Sequence, residues 1–342
     1  HDHFDHLGDT ITLSKNTGAP VACIFELGMH LQEKGVKVEA MNKGSFTKIN
    51  DILVSLTLAQ HSSQFGNPVG ILLNIENKMV YHAGDTSLFK DMELIRDLYQ
   101  PDVAMLPIGG YYTMGPKEAA GRRDFTVNAI SWDPIENRIL DPFGGLKDLE
   151  RGILRHTTEK FSEDPLRVLR AMQLAARFRF QVSADTVELC RHIEPENLPP
   201  ERVFEEFRKL LLKGRKISKG LDFLRSCDWL KYFPELNFLV GCKQEPEWHP
   251  EGDVWVHTLH CMDAFAEERT EDDWEDLIVG FATLCHDLGK PFTTVVESGR
   301  IRSPRHESAG EGPTRSFLQR MTQHKELIDS VIPLVSTHLR PL

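Results

Sequence analysis

Residues 162–180 read SEDPLRVLRAMQLAARFRF, and this stretch decides how the second half of the chain folds. The serine and the early proline at its start are typical of a helix N-terminus, so we predict Ser162 as the cap. Apolar side chains then recur at helical spacing, at Leu166, Leu169, Ala176 and Phe180. Since the pattern stays helical almost to the end of the chain, the sequence predicts a mostly α-helical C-terminal part.

Outward from this helix the pattern changes in both directions. The proline pair at residues 199–200 predicts the start of a further helix over residues 201–212. Residues 244–253 carry two prolines and a glycine and predict a loop at a domain boundary.

Upstream of the helical part, short apolar runs alternate with a helical pattern, which favours an α/β layout. We predict strands over residues 52–59, 69–75, 102–107, 125–131 and 138–140, a helix over residues 88–98, and a hairpin turn at residues 74–78.

Length and composition limit the class of protein. The chain has 342 residues, more than one hydrophobic core usually fills, so two or three domains are expected. With 40% hydrophobic and 27% charged residues, the composition excludes a disordered or collagen-like chain. No apolar run approaches the roughly 18 residues of a membrane helix, so we predict no membrane partner. The chain starts at His1 rather than Met, which we interpret as a trimmed end.

Charge and cysteine content point to a cytosolic protein with one basic region. The net charge is −11, yet residues 121–220 hold 19 basic and 16 acidic side chains. A polyanion would meet this segment best, although ordinary surface charge explains the number equally well. The six cysteines form no C-x-x-C pair, so we expect reduced thiols and a cytoplasmic location.

The first group of candidate site residues is HDHFDH at residues 1–6. Three imidazoles and carboxylates so close in sequence can turn toward one point and hold two divalent metals. His61 and Asp85 follow predicted strands and supply two more donors. Such a pair of metals suits hydrolysis, because it lowers the pKa of bound water. A tag remnant or a set of surface histidines is the alternative.

Residues 1–119 resemble the metallo-β-lactamase superfamily through the motifs HDHFDH (1–6), HAGDT (82–86), LPIGG (106–110) and TMGP (113–116). The resemblance implies part of an αββα sandwich and two sites for Zn²⁺ or Mn²⁺, with Asp5 as a candidate catalytic carboxylate. The implied ligands are His1, His3 and His61 for one metal and Asp5, His6 and Asp85 for the other.

The second group is RRDFTVNA at residues 122–129, followed by DPFGGLKDL at 141–149 and EDPLRVLR at 163–170. Arg122 and Arg123 can clamp a triphosphate by forked hydrogen bonds, although a solvated basic strand end is an equal alternative. Asp124 and Asn128 would fix a sugar or orient the arginines. On the following helix, an accepting Asp164, a donating Arg167 and the charged Arg170 would read a base.

These motifs, in this order, resemble the bacterial tRNA nucleotidyltransferase (CCA-adding enzyme) and poly(A) polymerase family over residues 122–342. The resemblance implies CTP and ATP as substrates, the tRNA 3′ end as acceptor, and Mg²⁺, Mn²⁺ or Ni²⁺ as metals. It assigns Asp164 and Arg167 to base selection and Arg123 and Arg170 to the phosphates. The Gly-rich loop and D-x-D pair that the family places upstream have no counterpart in residues 1–121.

The third group consists of VHTL (256–259), HDLGKP (286–291), RHE (305–307) and THL (337–339). A histidine on one helix and an adjacent His-Asp pair on another can hold one metal that activates water against a phosphate ester. A surface His-Asp pair is the alternative. The motifs resemble the HD phosphohydrolase domain attached to some CCA-adding enzymes. The resemblance implies a catalytic Asp287 and the candidate ligands His257, His286, Asp287, His306 and His338.

We therefore predict a multidomain fusion. Its expected parts are a partial metallo-β-lactamase domain (1–119), a short nucleotidyltransferase β remnant (120–160), a helical neck and body (161–243) and a helical HD domain (244–342). The leading function is CCA-type tRNA 3′-end processing with an HD phosphohydrolase. A metallo-β-lactamase-type hydrolase and an inactive nucleotide- or RNA-binding remnant stay open as alternatives. The abrupt change of motif near residue 120 favours a gene rearrangement as the origin.

Overall fold

A computed structural model describes residues 1–44, 46–133, 137–196, 198–270 and 272–339 of the chain. The chain divides into two compact units, His1–Arg122 and Arg123–Leu342. The finer division into four domains remains a prediction.

The first unit contains short helices and a strand-rich centre. Its helices are α1 (Phe4–Leu7), α2 (Thr10–Thr17), α3 (Phe25–Glu33), α4 (Met92–Tyr99) and α5 (Pro116–Ala120). Its strands are β1 (Val21–Ile24), β2 (Val38–Met41), β3 (Thr47–Ile49), β4 (Ile52–Leu58), β5 (Val69–Ile75), β6 (Lys78–His82) and β7 (Val103–Met105).

The five-stranded sheet of this unit has the order β3-β4-β5-β6-β7 and is antiparallel except for the parallel β6–β7 pair. β1 and β2 form a separate parallel pair. The predicted turn at residues 74–78 is present, because Glu76 and Asn77 adopt the positive φ angles that a tight hairpin requires. The predicted strands at 52–59, 69–75 and 102–107 match β4, β5 and β7.

Apolar side chains cover both faces of this sheet. Leu56 packs in one cluster with Leu27 and Leu31 of α3. Leu72 packs in a second cluster with Phe89 and Ile95. Because side chains alternate across a strand, Ile71 and Leu72 face opposite clusters and fix the register of β5.

The second unit is mostly helical. Its helices are α6 (Gly145–Arg151), α7 (Leu166–Phe178), α8 (Ala184–Arg191), α9 (Pro200–Lys213), α10 (Ile217–Ser226), α11 (Pro234–Asn237), α12 (Val254–Glu267), α13 (Asp273–Cys285), α14 (Lys290–Thr293), α15 (His306–Ala309), α16 (Glu311–Gln319) and α17 (Lys325–Thr337). Its strands are β8 (Ser131–Asp133), β9 (Arg138–Leu140), β10 (Ile153–Leu154), β11 (Gln181–Val182), β12 (Val295–Glu297) and β13 (Arg300–Arg302).

One continuous core runs through this unit and joins α7 to the later helices. Phe161, Phe207, Phe281 and Phe317 are fully buried in it. Among the described residues, no helix is long and apolar enough to cross a membrane.

Two local predictions are wrong. The predicted strand over residues 125–131 is a 3₁₀ turn at Thr126–Asn128, because the Thr126 hydroxyl donates to the buried Asp148 carboxylate of α6. The predicted Ser162 cap is replaced by Asp164, whose Oδ1 accepts from the Leu166 N–H, while the Ser162 hydroxyl donates to the Glu159 carbonyl. A contact distant in sequence decides the first case, and a competing local hydrogen bond decides the second.

Candidate functional site

The first unit gathers a histidine cluster that we define as His1, His3, His6, His61 and Asp85. Donor atoms of His1, His3 and His61 lie within 4.8 Å of one another, as do those of His1, His6 and Asp85. The Asp85 carboxylate lies 3.0 Å from His6 Nε2 and 3.6 Å from His61 Nε2. The donors present therefore fit two adjacent divalent cations.

The sheet explains why residues distant in sequence meet here. His61 follows β4 and Asp85 follows β6, and these strands run in the same direction because each is antiparallel to β5. Their C-terminal ends therefore reach the same edge of the sheet. The segment before and within α1 supplies the remaining histidines.

Asp5, the predicted catalytic carboxylate and metal ligand, occupies a different position. Its side chain is 57% exposed, and its Oδ2 lies 3.8 Å from His6 Nε2. In the described chain it belongs to none of the donor groups with mutual distances within 4.8 Å. The division of ligands between the two metals also differs from the prediction. His1 was predicted to bind only one metal, but its donor atoms lie close to both donor groups.

In the second unit, a buried ion pair joins Asp124 to Arg170. Arg170 donates to Asp124 Oδ2 at 2.7 Å, and the Asn128 amide donates to Asp124 Oδ1 at 2.9 Å. Burial alone would raise the pKa of Asp124, but the Arg170 charge and the Asn128 hydrogen bond outweigh it and lower that pKa. Asp124 thus holds Arg170 rather than the predicted Arg122 or Arg123, and its role at a nucleotide remains a prediction.

The two arginines of the predicted phosphate clamp have different partners. Arg122 donates to Glu93 at 2.7 Å within the first unit. Arg123 donates through Nε to the Asn128 carbonyl at 2.9 Å within the second unit. Their assignment to a triphosphate remains a prediction.

The Asp124–Arg170 pair makes stability depend on pH. Since the folded-state pKa of Asp124 lies below its ordinary value of about 3.9, its contribution is present above about pH 4 and lost as the pH falls further. Asp124→Asn leaves the partly exposed Arg170 without its charged partner and should lower the free energy of unfolding by about 1–3 kcal/mol at pH 7. Urea denaturation between pH 3 and pH 7 should show this deficit shrinking toward the acid end.

The control for this prediction is Asp222→Asn, at an exposed position on α10. It should change the free energy of unfolding little at any pH. A deficit for Asp124→Asn that is the same at every pH would contradict the assignment of this pKa shift to the Asp124–Arg170 pair.

The turn before α7 holds the predicted base-reading residues. Asp164 Oδ2 accepts from Arg202 at 3.0 Å, which braces the carboxylate against the start of α9. Arg167 donates to the Lys160 carbonyl at 2.7 Å and lies over the Phe161 ring, 5.9 Å from its centroid. The Arg167 N–H donates to the Asp164 carbonyl, so both residues share one turn.

The helical bundle holds a second donor cluster, which we call the bundle cluster and define as His257, His286, Asp287, His306 and His338. α12 supplies His257, the end of α13 supplies His286 and Asp287, and α15 and the end of α17 supply the rest. All five residues line one cavity of about 320 Å³. The structure thus brings together every ligand predicted for this site.

Hydrogen bonds orient the imidazoles of the bundle cluster. His286, His306 and His338 each direct Nδ1 to the carbonyl three residues earlier, at 2.8, 2.8 and 2.7 Å. His257 Nδ1 lies 2.8 Å from the Glu251 carboxylate instead. Because a ring whose Nδ1 donates leaves Nε2 as the acceptor, each imidazole can offer Nε2 to a cation.

Asp287 lies at the centre of these rings and is only 1% exposed. Its Oδ2 lies 3.1 Å from His286 Nε2 and 2.8 Å from Lys290 Nζ, and its Oδ1 lies 3.3 Å from His306 Nε2. Neither carboxylate oxygen has a hydrogen bond of good geometry. A buried carboxylate without such partners among inward-facing imidazoles fits a divalent cation.

The ionisable side chains of the bundle cluster shift one another's pKa values. Burial raises the pKa of Asp287, but the nearby imidazoles of His286 and His306 and the charge of Lys290 outweigh this effect and hold that pKa well below its ordinary value. Burial lowers the pKa of His286, but Asp287 and Cys261 outweigh it and raise that pKa. Without metal, His286 therefore carries a proton that a bound cation would displace.

The structure adds residues that the sequence interpretation missed. Cys261 Sγ lies 3.4 Å from His257 Nε2. Cys261 could have been found from the sequence, because a residue four positions after His257 on one helix lies on the same face. His249 and Glu251 come from the predicted boundary loop, and their Nδ1 and Oε1 atoms lie 2.9 Å apart. Lys290 is buried against Asp287. The loop residues carried no such signal.

Fold and site together define a multidomain protein with two candidate metal centres, one beside a mixed sheet and one in a helical bundle. Residues 1–129 match the model of the beta-lactamase superfamily domain. Residues 179–239 match the probable RNA- and SrmB-binding site of polymerase A.

The relatives agree with this division. The multifunctional CCA protein of Laribacter hongkongensis is 40% identical over 222 residues, which are 64% of this chain and 53% of that protein. That of Neisseria meningitidis serogroup C is 40% identical over 209 residues, 60% and 48% of the two chains. This chain therefore spans about half the length of the curated relatives it matches. The predicted resemblance to both families is confirmed: residues 1–129 match the beta-lactamase superfamily domain model, and the chain is also similar to multifunctional CCA proteins.

Solved structures give weaker comparisons. A metallo hydrolase of Ignicoccus hospitalis aligns with 42% identity over 35% of this chain and 54% of its own, at a TM-score of 0.34. The Thermotoga maritima CCA-adding enzyme complexed with tRNA aligns with 17% identity over 76% and 61% of the two chains, at a TM-score of 0.43. TM-scores below 0.5 do not establish a common fold, so neither comparison adds support.

Proposed function

We propose that the second unit serves tRNA 3′-end processing of the CCA-adding type, with CTP or ATP read at the turn before α7. The observation that carries this proposal is the braced Asp164 on the same turn as Arg167, in a segment 40% identical to multifunctional CCA proteins. A cytoplasmic location and a tRNA partner belong to the same proposal.

The side chains of this turn have complementary roles in the proposal. Asp164 accepts a hydrogen bond from a base amino group, and Arg202 holds its carboxylate in place. Arg167 donates to an acceptor on the base edge, with its guanidinium steadied over Phe161. Arg123 and Arg170 contribute positive charge for the phosphates, with Arg170 fixed by Asp124.

Exposed cations support an RNA partner. Lys213, Arg215, Lys216 and Lys219 are exposed between α9 and the first turns of α10, inside the segment that matches an RNA-binding family. Basic side chains in one stretch favour binding to a phosphate backbone in a salt-dependent way.

Nucleotide binding and transfer are tested separately. Arg167→Ala should weaken CTP binding by about tenfold or more, since a good base contact is worth about 1–3 kcal/mol. The control Arg177→Ala, on the same helix, should bind CTP as the unmodified chain does. Isothermal titration measures binding, and incorporation of labelled CTP and ATP into tRNA lacking its 3′ terminus measures transfer.

The results separate the open functions. Incorporation by the chain supports nucleotidyl transfer, and binding without incorporation supports the non-catalytic remnant, since residues 1–121 hold no Gly-rich loop followed by D-x-D. Equal CTP affinity of Arg167→Ala and the unmodified chain would contradict the proposed role of the turn.

A second function is favoured by the buried carboxylate of Asp287, which lies among the imidazoles of His286 and His306 and next to Lys290. We propose that the bundle cluster is a metal-dependent phosphohydrolase of the HD type, with His257, His286, Asp287, His306 and His338 as the metal-holding residues. A bound divalent cation would lower the pKa of water and polarise the phosphate ester. Lys290, beside Asp287 and lining the same cavity, would contribute positive charge for a phosphate.

The histidine cluster of the first unit supports a third proposal, a hydrolase of the metallo-β-lactamase type with Zn²⁺ or Mn²⁺. His1, His3 and His61 would hold one cation, and His6 and Asp85 would contribute to the other. Asp5 is kept in this proposal as the candidate catalytic carboxylate, and its side chain lies outside the two donor groups. The domain divisions near residues 120, 161 and 244 belong to the same proposals.

A further inference from the structure

Cys261 has a position that the proposed phosphohydrolase does not require. It lies on α12 four residues after His257, and residues at this spacing share one face of a helix. Its sulfur lies 3.4 Å from His257 Nε2. The side chain is partly buried and forms no disulfide.

The thiol belongs to a group with the spacing of a metal site. Donor atoms of His257, Cys261 and His286 all lie within 4.8 Å of one another. Since Zn–N and Zn–S bonds are about 2.0 and 2.3 Å long, the donors of one tetrahedral ion lie about 3.3–3.6 Å apart. The distance between Cys261 Sγ and His257 Nε2 falls in this range.

A second observation indicates that a cation belongs between these residues. Asp287 is almost fully buried, and its oxygens lie near imidazole nitrogens and the Lys290 ammonium without a hydrogen bond of standard geometry. Its Oδ2 faces His286 at 3.1 Å and His257 at 3.9 Å, whereas its Oδ1 faces His306 at 3.3 Å. Asp287 forms a separate donor group with His306 and His338. Its Oδ2 also faces the thiol-containing group, so the carboxylate links the two groups.

The two groups differ in the kind of ion they suit. Two imidazoles and a sulfur are soft donors that favour Zn²⁺ and other thiophilic ions. The group of Asp287, His306 and His338 has no sulfur and presents a carboxylate oxygen, a donor that suits Mg²⁺ or Mn²⁺. The helical bundle thus presents two neighbouring sets of donors with different preferences.

We infer that Cys261 is a thiolate ligand, which with His257 and His286 holds a thiophilic divalent cation of the Zn²⁺ class at one position of the bundle cluster. This inference rests on the proposed phosphohydrolase for the location of the site, but its test measures metal binding alone. A neutral cysteine whose S–H only donates a weak hydrogen bond to His257 Nε2 is the competing explanation.

Cobalt titration of the full chain tests the inference, because a thiolate bound to Co²⁺ produces a charge-transfer band in the near ultraviolet. We expect the unmodified chain to show the band and Cys261→Ser to lose it while still binding cobalt through the imidazoles. Cys242→Ser is the matched control, since Cys242 is also partly buried and contacts Thr294 rather than a ligand. It should keep the band.

Affinity gives the second readout. Loss of a direct ligand should weaken Zn²⁺ binding by about tenfold or more, while the affinity for Mn²⁺ changes little. Circular dichroism of each variant checks that it folds. Cobalt binding without the band in the unmodified chain, or a band that survives in Cys261→Ser, overturns the inference and leaves the phosphohydrolase proposal intact. A Cys261-dependent band without phosphoester hydrolysis supports the inference and counts against that proposal.

Discussion

Asp287→Asn is expected to abolish the proposed metal-dependent phosphoester hydrolysis and to weaken Mn²⁺ binding by about 100-fold or more, since it removes a charged donor from the proposed site. The carboxylate faces His286, His306 and Lys290 within 3.3 Å. An asparagine amide keeps the shape but removes the negative charge that balances these groups and a bound cation.

The same substitution should destabilise the metal-free chain. Lys290 is buried, and its other polar contact is with Gln244 at 2.7 Å, a neutral group. We therefore expect the free energy of unfolding to fall by about 3–5 kcal/mol. Urea denaturation with and without Mn²⁺ measures both effects, because a ligand that binds only the folded state raises stability by mass action.

Asp263→Asn is the matched control. Asp263 is also buried, forms an ion pair with Lys216 at 2.7 Å and lies on α12 outside the bundle cluster. It should lower stability without changing Mn²⁺ affinity. Wild-type Mn²⁺ affinity in Asp287→Asn would contradict the assignment of this carboxylate, and His338→Ala provides a second test if Asp287→Asn does not fold.

Gly289→Ala should destabilise the bundle and weaken metal binding, although the substitution adds one methyl group. A Cβ at Gly289 would lie 2.0 Å from the His306 carbonyl oxygen and 2.7 Å from the Gly310 nitrogen. Both neighbours are backbone atoms, so α15 must move and carry His306 away from Asp287. Overpacking of this kind costs about 1–3 kcal/mol.

Gly312→Ala is the control for this prediction, because a Cβ at Gly312 meets nothing within 4 Å. Gly312 lies in α16, where alanine is the better helix former, so stability should stay equal or rise by a few tenths of a kcal/mol. Chemical denaturation and Mn²⁺ titration of both variants measure the difference. Equal stability of the two variants would show that the contact between Gly289 and α15 does not constrain the bundle.

Much of the secondary structure followed from local patterns. Strands β4, β5 and β7, the hairpin at Glu76 and Asn77, and the helix opened by Pro200 match their predictions. The failures at Thr126 and Ser162 have one cause. At both positions a different hydrogen bond outweighed the predicted one: Thr126 binds the distant Asp148, and Asp164, two residues after Ser162, accepts from the first turn of α7 in its place.

For the candidate sites too, some features were predictable from short motifs and others were not. Ligand types were predictable where a short motif carried several donors, as in HDHFDH at residues 1–6 and HDLGKP at residues 286–291. The motifs did not single out Cys261 or Glu251, and they did not indicate that the Asp5 carboxylate lies outside the donor groups of the first unit. The distance of a donor from an ion depends on how α12, its preceding loop and α1 are oriented, which side-chain chemistry alone does not specify.

The order of motifs along the chain by itself determined that two unrelated segments are joined here, and it determined which imidazoles and carboxylates are available. Only the tertiary structure decided that Asp287 presents one oxygen toward His286 and the other toward His306, and that Arg170 is held by Asp124. The physical reason is that coordination and ion pairing depend on distances of a few ångströms between residues far apart in sequence. Packing of whole helices sets those distances.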